Sequence, residues 1–330
     1  MSVNSEMTAI ADLIRGLRGV SGKMGLDAMK GHLQDEQDGL DSALAALTEK
    51  GVTVPAGTKV DGLAALIAAI EAGGGGGGGD DGGLKAVIER TATNFTMPSD
   101  LTSVGAYAFY NYSVLALTSL PESITSIDTY AFYGCKNLSL TSLPESVTSI
   151  SGYAFHSCTN LALTSLPSGL TMVNSNAFNG CKNLALTSLP ESVTSIGNYS
   201  FYGCTKLSLT SLPESVTSIS GYAFHSCTNL ALTSLPSGLT NISSYAFYNC
   251  TNLALASIPA GVTTIGSSAF SNCSNLTELT FKGKPSSIGS STFKNCTNLL
   301  TINVPWAEGD VSGAPWGATE ATIHYNYKGG

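Results

Sequence analysis

A chain of 330 residues has room for two or three ordinary domains, yet only 12% of it is charged, about half of the roughly 25% usual for globular proteins. Its 15 Lys and Arg against 23 Asp and Glu leave a net charge of −8, which excludes the clustered basic surface that nucleic acid or an acidic membrane demands. No stretch approaches the ~18 apolar residues of a membrane-inserted helix.

Residues 1–72 read as a small α-helical N-terminal segment. Ile10, Leu13, Ile14 and Leu17 share one helical face, Leu40, Leu44 and Leu47 a second, and Leu63, Leu66, Ile67 and Ile70 a third. So small a bundle is marginal alone and is expected to dock or self-associate, as a mount. The acidic cluster Asp35, Glu36, Asp38 lacks the spacing of a calcium loop. The N-terminus has no basic start followed by an apolar core, so it does not read as a secretory signal. Synthesis in the cytoplasm is expected.

Residues 73–83 contain Gly73 to Gly79 without interruption, then Asp80, Asp81, Gly82 and Gly83. No Gly-Lys-Ser/Thr follows, so a phosphate loop is not indicated. The stretch reads as a flexible linker spanning about 18 Å root-mean-square.

Residues 84–305 are governed by a repeat. Phe109, Phe132, Phe155, Phe178, Phe201, Phe224, Phe247, Phe270 and Phe293 fall at steps of 23 residues, giving nine units. Cys135, Cys158, Cys181, Cys204, Cys227, Cys250, Cys273 and Cys296 obey the same step, with Tyr112 in the first unit's cysteine place. A fixed period of this size implies a solenoid. Leu140 to Thr171 also recurs unchanged as Leu209 to Thr240, so three units were copied together.

Each unit offers two short extended stretches. LxLTSLP stops at proline, which cannot continue a hydrogen-bonded ladder. VTSI alternates apolar and polar as a half-buried strand does. The following YAFxxCxNL places Phe155, Cys158 and Leu161 three residues apart, the spacing of a helical turn. The fold class is therefore a repeat solenoid of short parallel strands plus helical turns, with the helical segment ahead of it. After Pro305 the pattern breaks. Residues 306–330, with Trp306, Trp316, Thr322, Ile323 and Tyr325, suit a C-terminal cap over the last exposed core.

The eight cysteines share one apolar turn position. An even count permits disulfides, but parallel inward thiols packed as small hydrophobes are the better reading, in keeping with a reducing compartment. No CxxC pair suggests a metal, no cofactor motif is present, and no nucleophile–base arrangement is evident. His156 and His225 occupy one position 69 residues apart and cannot share a site. Glu122, Glu145, Glu191 and Glu214 form an acidic row interrupted by Ser168 and Ser237, either solvated or weakly cation-binding.

The candidate ligand-binding stripe is the position after the repeat phenylalanine: Tyr110, Tyr133, His156, Asn179, Tyr202, His225, Tyr248 and Ser271. Two residues before the phenylalanine a second row reads Tyr107, Tyr130, Tyr153, Asn176, Tyr199, Tyr222, Tyr245 and Ser268. Tyrosine is rigid and amphipathic, so exposed rows of it suit protein or glycan recognition. The rings also suit packing over the turn, and for the second row packing is favoured. Another candidate face is the hydroxyl row Thr141, Ser142, Thr164, Ser165, Thr187, Ser188, Thr210, Ser211, Thr233 and Ser234, for which inter-strand pairing is favoured over sugar binding.

The unit Leu186–Leu207, LTSLPESVTSIGNYSFYGCTKL, resembles the bacterial BspA-like leucine-rich repeat, with its proline after the first strand and its AFxxCxxL turn. The resemblance spans about Phe95 to Pro305. The family usually places apolar residues first, fourth and sixth, as at Leu276, Leu279 and Phe281. The middle units place them first, third and sixth, as at Leu161, Leu163 and Leu166, which points to a bulge or altered register. The segments ADLIRGLRGVSGKMGLDAMKGHL, VDGLAALIAAIEAGGGGGG and APWGATEATIHYNY resemble ends of phage and prophage tail-associated proteins of Gram-positive gut bacteria.

These resemblances imply a non-enzymatic binding protein associated with a virion tail and extracellular after release. Its array would contact a bacterial surface protein or glycan, and its N-terminal segment a phage particle or other assembly. A cell-surface adhesin is the alternative, and a cell-wall glycan hydrolase a more distant one.

Overall fold

The computed structural model describes residues 99–328, with Thr93, Asn94 and Met97 before them. The expected N-terminal helices, the glycine linker and the start of the array at residue 84 lie outside the described residues. The described chain winds as a β-solenoid of parallel strands, one coil per 23-residue unit. No helix of the described residues is long and apolar enough to cross a membrane.

The VTSI stretch supplies the main ladder. Its paired residues are only two per coil, one facing out and one in, as in Ser195–Ile196. Each strand sits in strict register with its repeat mate: Ser126 on Ser149, Ile196 on Ile219, Ile242 on Ile265. Alternation puts every inward Ile or Val on its equivalent in the next coil. This ladder is not continuous. Ser103–Val104, Ser126–Ile127 and Ser149–Ile150 form one sheet, and Met172–Val173 opens a second, six-stranded sheet that runs to Ser287–Ile288. At the break, the Asn174 side-chain Nδ2 donates to the Ile150 carbonyl at 2.7 Å. In neighbouring coils a backbone N–H does this, as from Ser151 to Ile127.

The LxLTSLP stretch departs from expectation. It pairs as a strand only toward the C-terminal end, at Ser257–Ile258, Glu278–Phe281 and Thr301–Asn303, where Thr322–His324 adds a fourth strand. In the middle coils the altered apolar register explains the difference. Leu161 and Leu163 are fully buried, but the next inward residue is Leu166, so Thr164 and Ser165 both face solvent. Two consecutive outward residues break the period of two, and the segment keeps only isolated bonds, such as Ala162 N–H to Leu140 O and Thr164 N–H to Thr141 O.

The expected helical turns are also corrected, since no helix forms among the described residues. Alternate amides close i→i+3 turns within a coil: Ala154 to Ser151, His156 to Tyr153, Cys158 to Phe155. The amides between them leave the coil: Tyr153 to Ser175, Phe155 to Ala177, Ser157 to Asn179. The cause is a left-handed residue on each side of the phenylalanine, Tyr153 at φ 60° and Ser157 at φ 59°. Each one interrupts the right-handed run and redirects the N–H toward the next coil, where a helix would have kept it inside.

Stacked coils bury ladders of Leu, Ile, Phe and Cys. The repeat phenylalanines stack with centroids 5.2–5.7 Å apart from Phe109 to Phe293. All eight cysteines are buried thiols. Each thiol donates to the carbonyl of the phenylalanine 26 residues earlier, as Cys158 Sγ does to Phe132 O at 2.9 Å. At the C-terminal end Trp306 and Trp316 are both buried, packing edge-on and tilted against Phe281.

Candidate functional site

The turn that carries the ring rows is built by its backbone. Position +2 after the phenylalanine is left-handed in every coil, and it holds Gly, Asn or Ser, as at Gly134, Asn249 and Ser226. These are residues that tolerate that conformation. Position −2 is left-handed as well, yet there the chain places Tyr107, Tyr130, Tyr153, Tyr199, Tyr222 and Tyr245, all at φ 56–60°. A bulky residue in this region costs ~1–3 kcal/mol. Backbone convenience therefore does not explain the tyrosines, and their rings do.

Those rings form two ladders side by side. In the −2 ladder Tyr107, Tyr130 and Tyr153 stack at 4.9 and 4.8 Å, and Tyr199, Tyr222 and Tyr245 at 4.6 and 4.7 Å. In the +1 ladder Tyr110, Tyr133 and His156 stack at 4.9 and 4.5 Å, and Tyr202, His225 and Tyr248 at 4.5 and 4.6 Å. Within a coil the two rows touch at 5.7–5.9 Å, as Tyr130 with Tyr133 and Tyr199 with Tyr202. The six stripe residues singled out from the sequence thus fall into two groups of three, each completed by three −2 tyrosines into a block of six rings. The sequence reading separated the two rows, favouring packing for one. The structure brings them together as one surface, because both flank the same inward phenylalanine.

Most of these rings are partly exposed, with flat faces spent on each other and edges toward solvent. Burial, reinforced by the neighbouring tyrosines, raises the Tyr130 and Tyr222 hydroxyl pKa values. The histidines sit between or beside tyrosines, and burial lowers their pKa values. Each imidazole Nδ1 meets a serine hydroxyl, Ser157 at 2.9 Å and Ser226 at 3.0 Å. The sequence reading did not pair these groups. Their signal was local, a Ser directly after His at a left-handed position. No carboxylate completes either pair among the described residues.

Asn176 and Asn179 stand where the two blocks meet. Both ladders stop there, in the same coil whose strand breaks the sheet. The Asn179 amide donates to Asn176 Oδ1 at 2.9 Å. The copied block makes this coil informative. The two copies are identical through Thr171 and Thr240 and then diverge: Met172 for Asn241, Asn174 for Ser243, Asn176 for Tyr245, Asn179 for Tyr248. The buried Ala177, Phe178 and Cys181 match Ala246, Phe247 and Cys250. The buried strand residue changes only from Val173 to Ile242, so most of the rewriting falls on the surface of the coil.

The other rows resolve differently. The LTSLP hydroxyls from Thr141 to Ser234 face solvent and make no side-chain bond among the described residues. Inter-coil hydroxyl bonding is made instead by other positions, among them the VTSI threonines, as Thr194 Oγ1 to Thr171 O at 3.2 Å, and the serine before VTSI, as Ser192 Oγ to Leu170 O at 2.5 Å. In the acidic row Glu145 accepts from the Ser168 N–H and hydroxyl, and Glu214 from those of Ser237. Those serines are the interruptions seen in the sequence, so where the row changes to Ser the preceding carboxylate is held by it. No group of three or more His, Cys, Asp or Glu converges on a metal-sized site among the described residues.

Solved structures similar to this chain include bacterial leucine-rich repeat proteins. A leucine-rich repeat protein of T. pallidum is 32% identical over 49% of this chain and 77% of its own, with a TM-score of 0.41. A leucine-rich cell surface protein of Faecalibacterium prausnitzii is 24% identical over 71% and 78%, at 0.39. A leucine-rich repeat protein of Eubacterium ventriosum is 20% identical over 75% and 76%, at 0.46. No curated protein matches the chain. The model of the BspA-type leucine-rich repeat region matches residues 88–208 and 194–309, about two thirds of the sequence, and with the 23-residue coil and its inward Leu, Phe and Cys ladders the chain belongs to that family.

Proposed function

We propose that this chain is a non-enzymatic recognition protein that contacts a bacterial surface through the ring-bearing turns of its repeat array. The observation that carries this reading is the pair of six-ring blocks. Twelve aromatic side chains are aligned along one edge, six of them tyrosines held in a left-handed conformation. That strain is unnecessary for building the coil, since the Asn176 and Ser268 coils adopt the same φ without a ring. Backbone strain retained where the fold does not need it points to a function for the side chain. Rigid amphipathic rings at low entropic cost are what a recognition surface uses.

The array is further proposed to be the distal part of a phage or prophage tail-associated protein, mounted through residues 1–72 and the glycine run. This rests on the resemblance of the two ends to tail-associated proteins. Membership of the repeat family supports the second reading, a cell-surface adhesin.

The experiment is binding of the full chain to a panel of gut bacterial cells, beside a variant with Tyr133, Tyr202 and Tyr248 changed to Ser. Selective binding that falls at least tenfold in the variant is expected. Selective binding retained there would move the site to the exposed Thr and Ser row, and binding to no cell would overturn the reading. Detection in purified particles distinguishes the tail protein from the adhesin, which would instead be found on the producing cell.

A further inference from the structure

We infer that the coil carrying Asn176 and Asn179 is a slot for one neutral saccharide ring, clamped between the two aromatic blocks. The inference rests on the recognition reading above and names its ligand class and place. Tyr153 and His156 close one side of the slot, and Tyr199 and Tyr202 the other. These walls lie two coils apart, whereas successive rings elsewhere in the ladders are one coil and 4.5–4.9 Å apart. Two rings are missing between them, replaced by the shorter Asn side chains. A pyranose chair entering the slot can present its axial C–H faces to the aromatic walls in place of the missing rings. Tyr199 is the most exposed of the ladder tyrosines, at 36%, as expected for a ring with one face uncovered.

The floor selects the chemistry. Asn179 Nδ2 is spent on Asn176 Oδ1, which leaves the Asn176 amide N–H groups and Asn179 Oδ1 without a protein partner among the described residues. A donor and an acceptor side by side match the adjacent hydroxyls of a sugar, which both accept and donate. A purely apolar or aromatic guest would leave them unpaired. The three turns, Tyr153–Ser157, Asn176–Gly180 and Tyr199–Gly203, contain no Asp, Glu, Lys or Arg, and His156 is shifted toward its neutral form. An anionic or cationic ligand finds no counter-charge in them. Aromatic walls with a few convergent polar groups are the general make-up of a small-ligand site. The internal duplication supports design over accident, since the second copy fills the same two places with Tyr245 and Tyr248 above the same inward Ala, Phe and Cys.

The test is saturation-transfer NMR of the full chain with four free tetrasaccharides, built of glucose, galactose, mannose or N-acetylglucosamine. Binding of at least one is expected. Asn176→Tyr with Asn179→Tyr should weaken it at least tenfold, and this variant should fold because the chain already carries those residues in the equivalent coil. Tyr199→Ser, which removes one wall and keeps the floor, should also weaken it. Tyr327→Ser, which removes an exposed aromatic ring outside both ladders, should leave it unchanged. Binding of none of the four, or equal binding by the filled variant, overturns the slot. Cell binding that survives in the filled variant overturns the slot but leaves the recognition reading standing, whereas loss of all cell binding by the parent chain overturns that reading itself. Cell binding abolished by protease but not by periodate assigns a protein partner and overturns the saccharide.

Discussion

Ser200 stands where other coils have alanine, as at Ala154 and Ala223, and its hydroxyl is buried without a hydrogen-bond partner. A buried unpaired polar group costs ~1–3 kcal/mol, so Ser200→Ala should raise stability by about 1 kcal/mol in urea unfolding. The left-handed tyrosines allow a finer comparison. Tyr222 stacks on Tyr199 and Tyr245, whereas Tyr245 has a ladder partner on one side only. Each aromatic pair contributes ~0.5–1.5 kcal/mol beyond its burial, against ~1–2 kcal/mol for a left-handed bulky residue. Asn tolerates that conformation. Tyr222→Asn should therefore cost about 1 kcal/mol, while Tyr245→Asn should be close to neutral, again by urea unfolding. Thiols show the same logic of place. Burial raises the pKa of Cys158, Cys204, Cys227 and Cys273 far above the ordinary thiol range, and that of Cys296 only to about 11. A thiolate reagent at pH 8 should leave the folded array nearly untouched, modify Cys296 first, and reach all eight only on unfolding.

At the scale of the element, the +1 ladders contain one histidine each, and burial lowers both pKa values. A folded pKa below the unfolded one means that the unfolded chain takes the proton more readily. The contribution of these histidines to stability is therefore present above the ordinary pKa near 6.5 and declines as pH falls through it. Between pH 7.5 and 5.5 the melting temperature should drop, and His156→Gln with His225→Gln should flatten that slope. An unchanged slope would mean that other groups control it. The turn element was half legible. The spacing of Phe155, Cys158 and Leu161 correctly put them on one inward face, but the same spacing arises from a helix and from a chain of separate turns. What decided between them was the left-handed backbone at Tyr153 and Ser157, and Tyr is a residue whose identity gives no hint of that conformation.

For the whole molecule, stability is the sum of coils and of contacts between neighbours. Phe201 touches the phenylalanines of both adjoining coils, at 5.7 and 5.4 Å. Phe201→Ala should cost ~3–5 kcal/mol and divide the array, so that hydrogen exchange reports two separately melting parts. Trp316→Ala carries a similar local cost at the end of the solenoid, where exchange should spread inward from Phe293.

The 23-residue period alone established a solenoid, the inward Leu, Ile, Phe and Cys ladders, and the membership of the ten ladder tyrosines in their two rows. It could do so because a coil that cannot bury its own apolar side must stack on its copies, and any residue that recurs at the period then lies above its equivalent. Only the tertiary structure decided what happens between rows and at the exceptions. Whether Tyr130 meets Tyr133, whether LxLTSLP joins a ladder, and whether Asn176 and Asn179 open a gap between walls all depend on the backbone path around the phenylalanine. That path is set by competition between hydrogen bonds inside a coil and bonds to the next one. The competing partner lies about one repeat away in sequence and becomes a neighbour only when the coils stack.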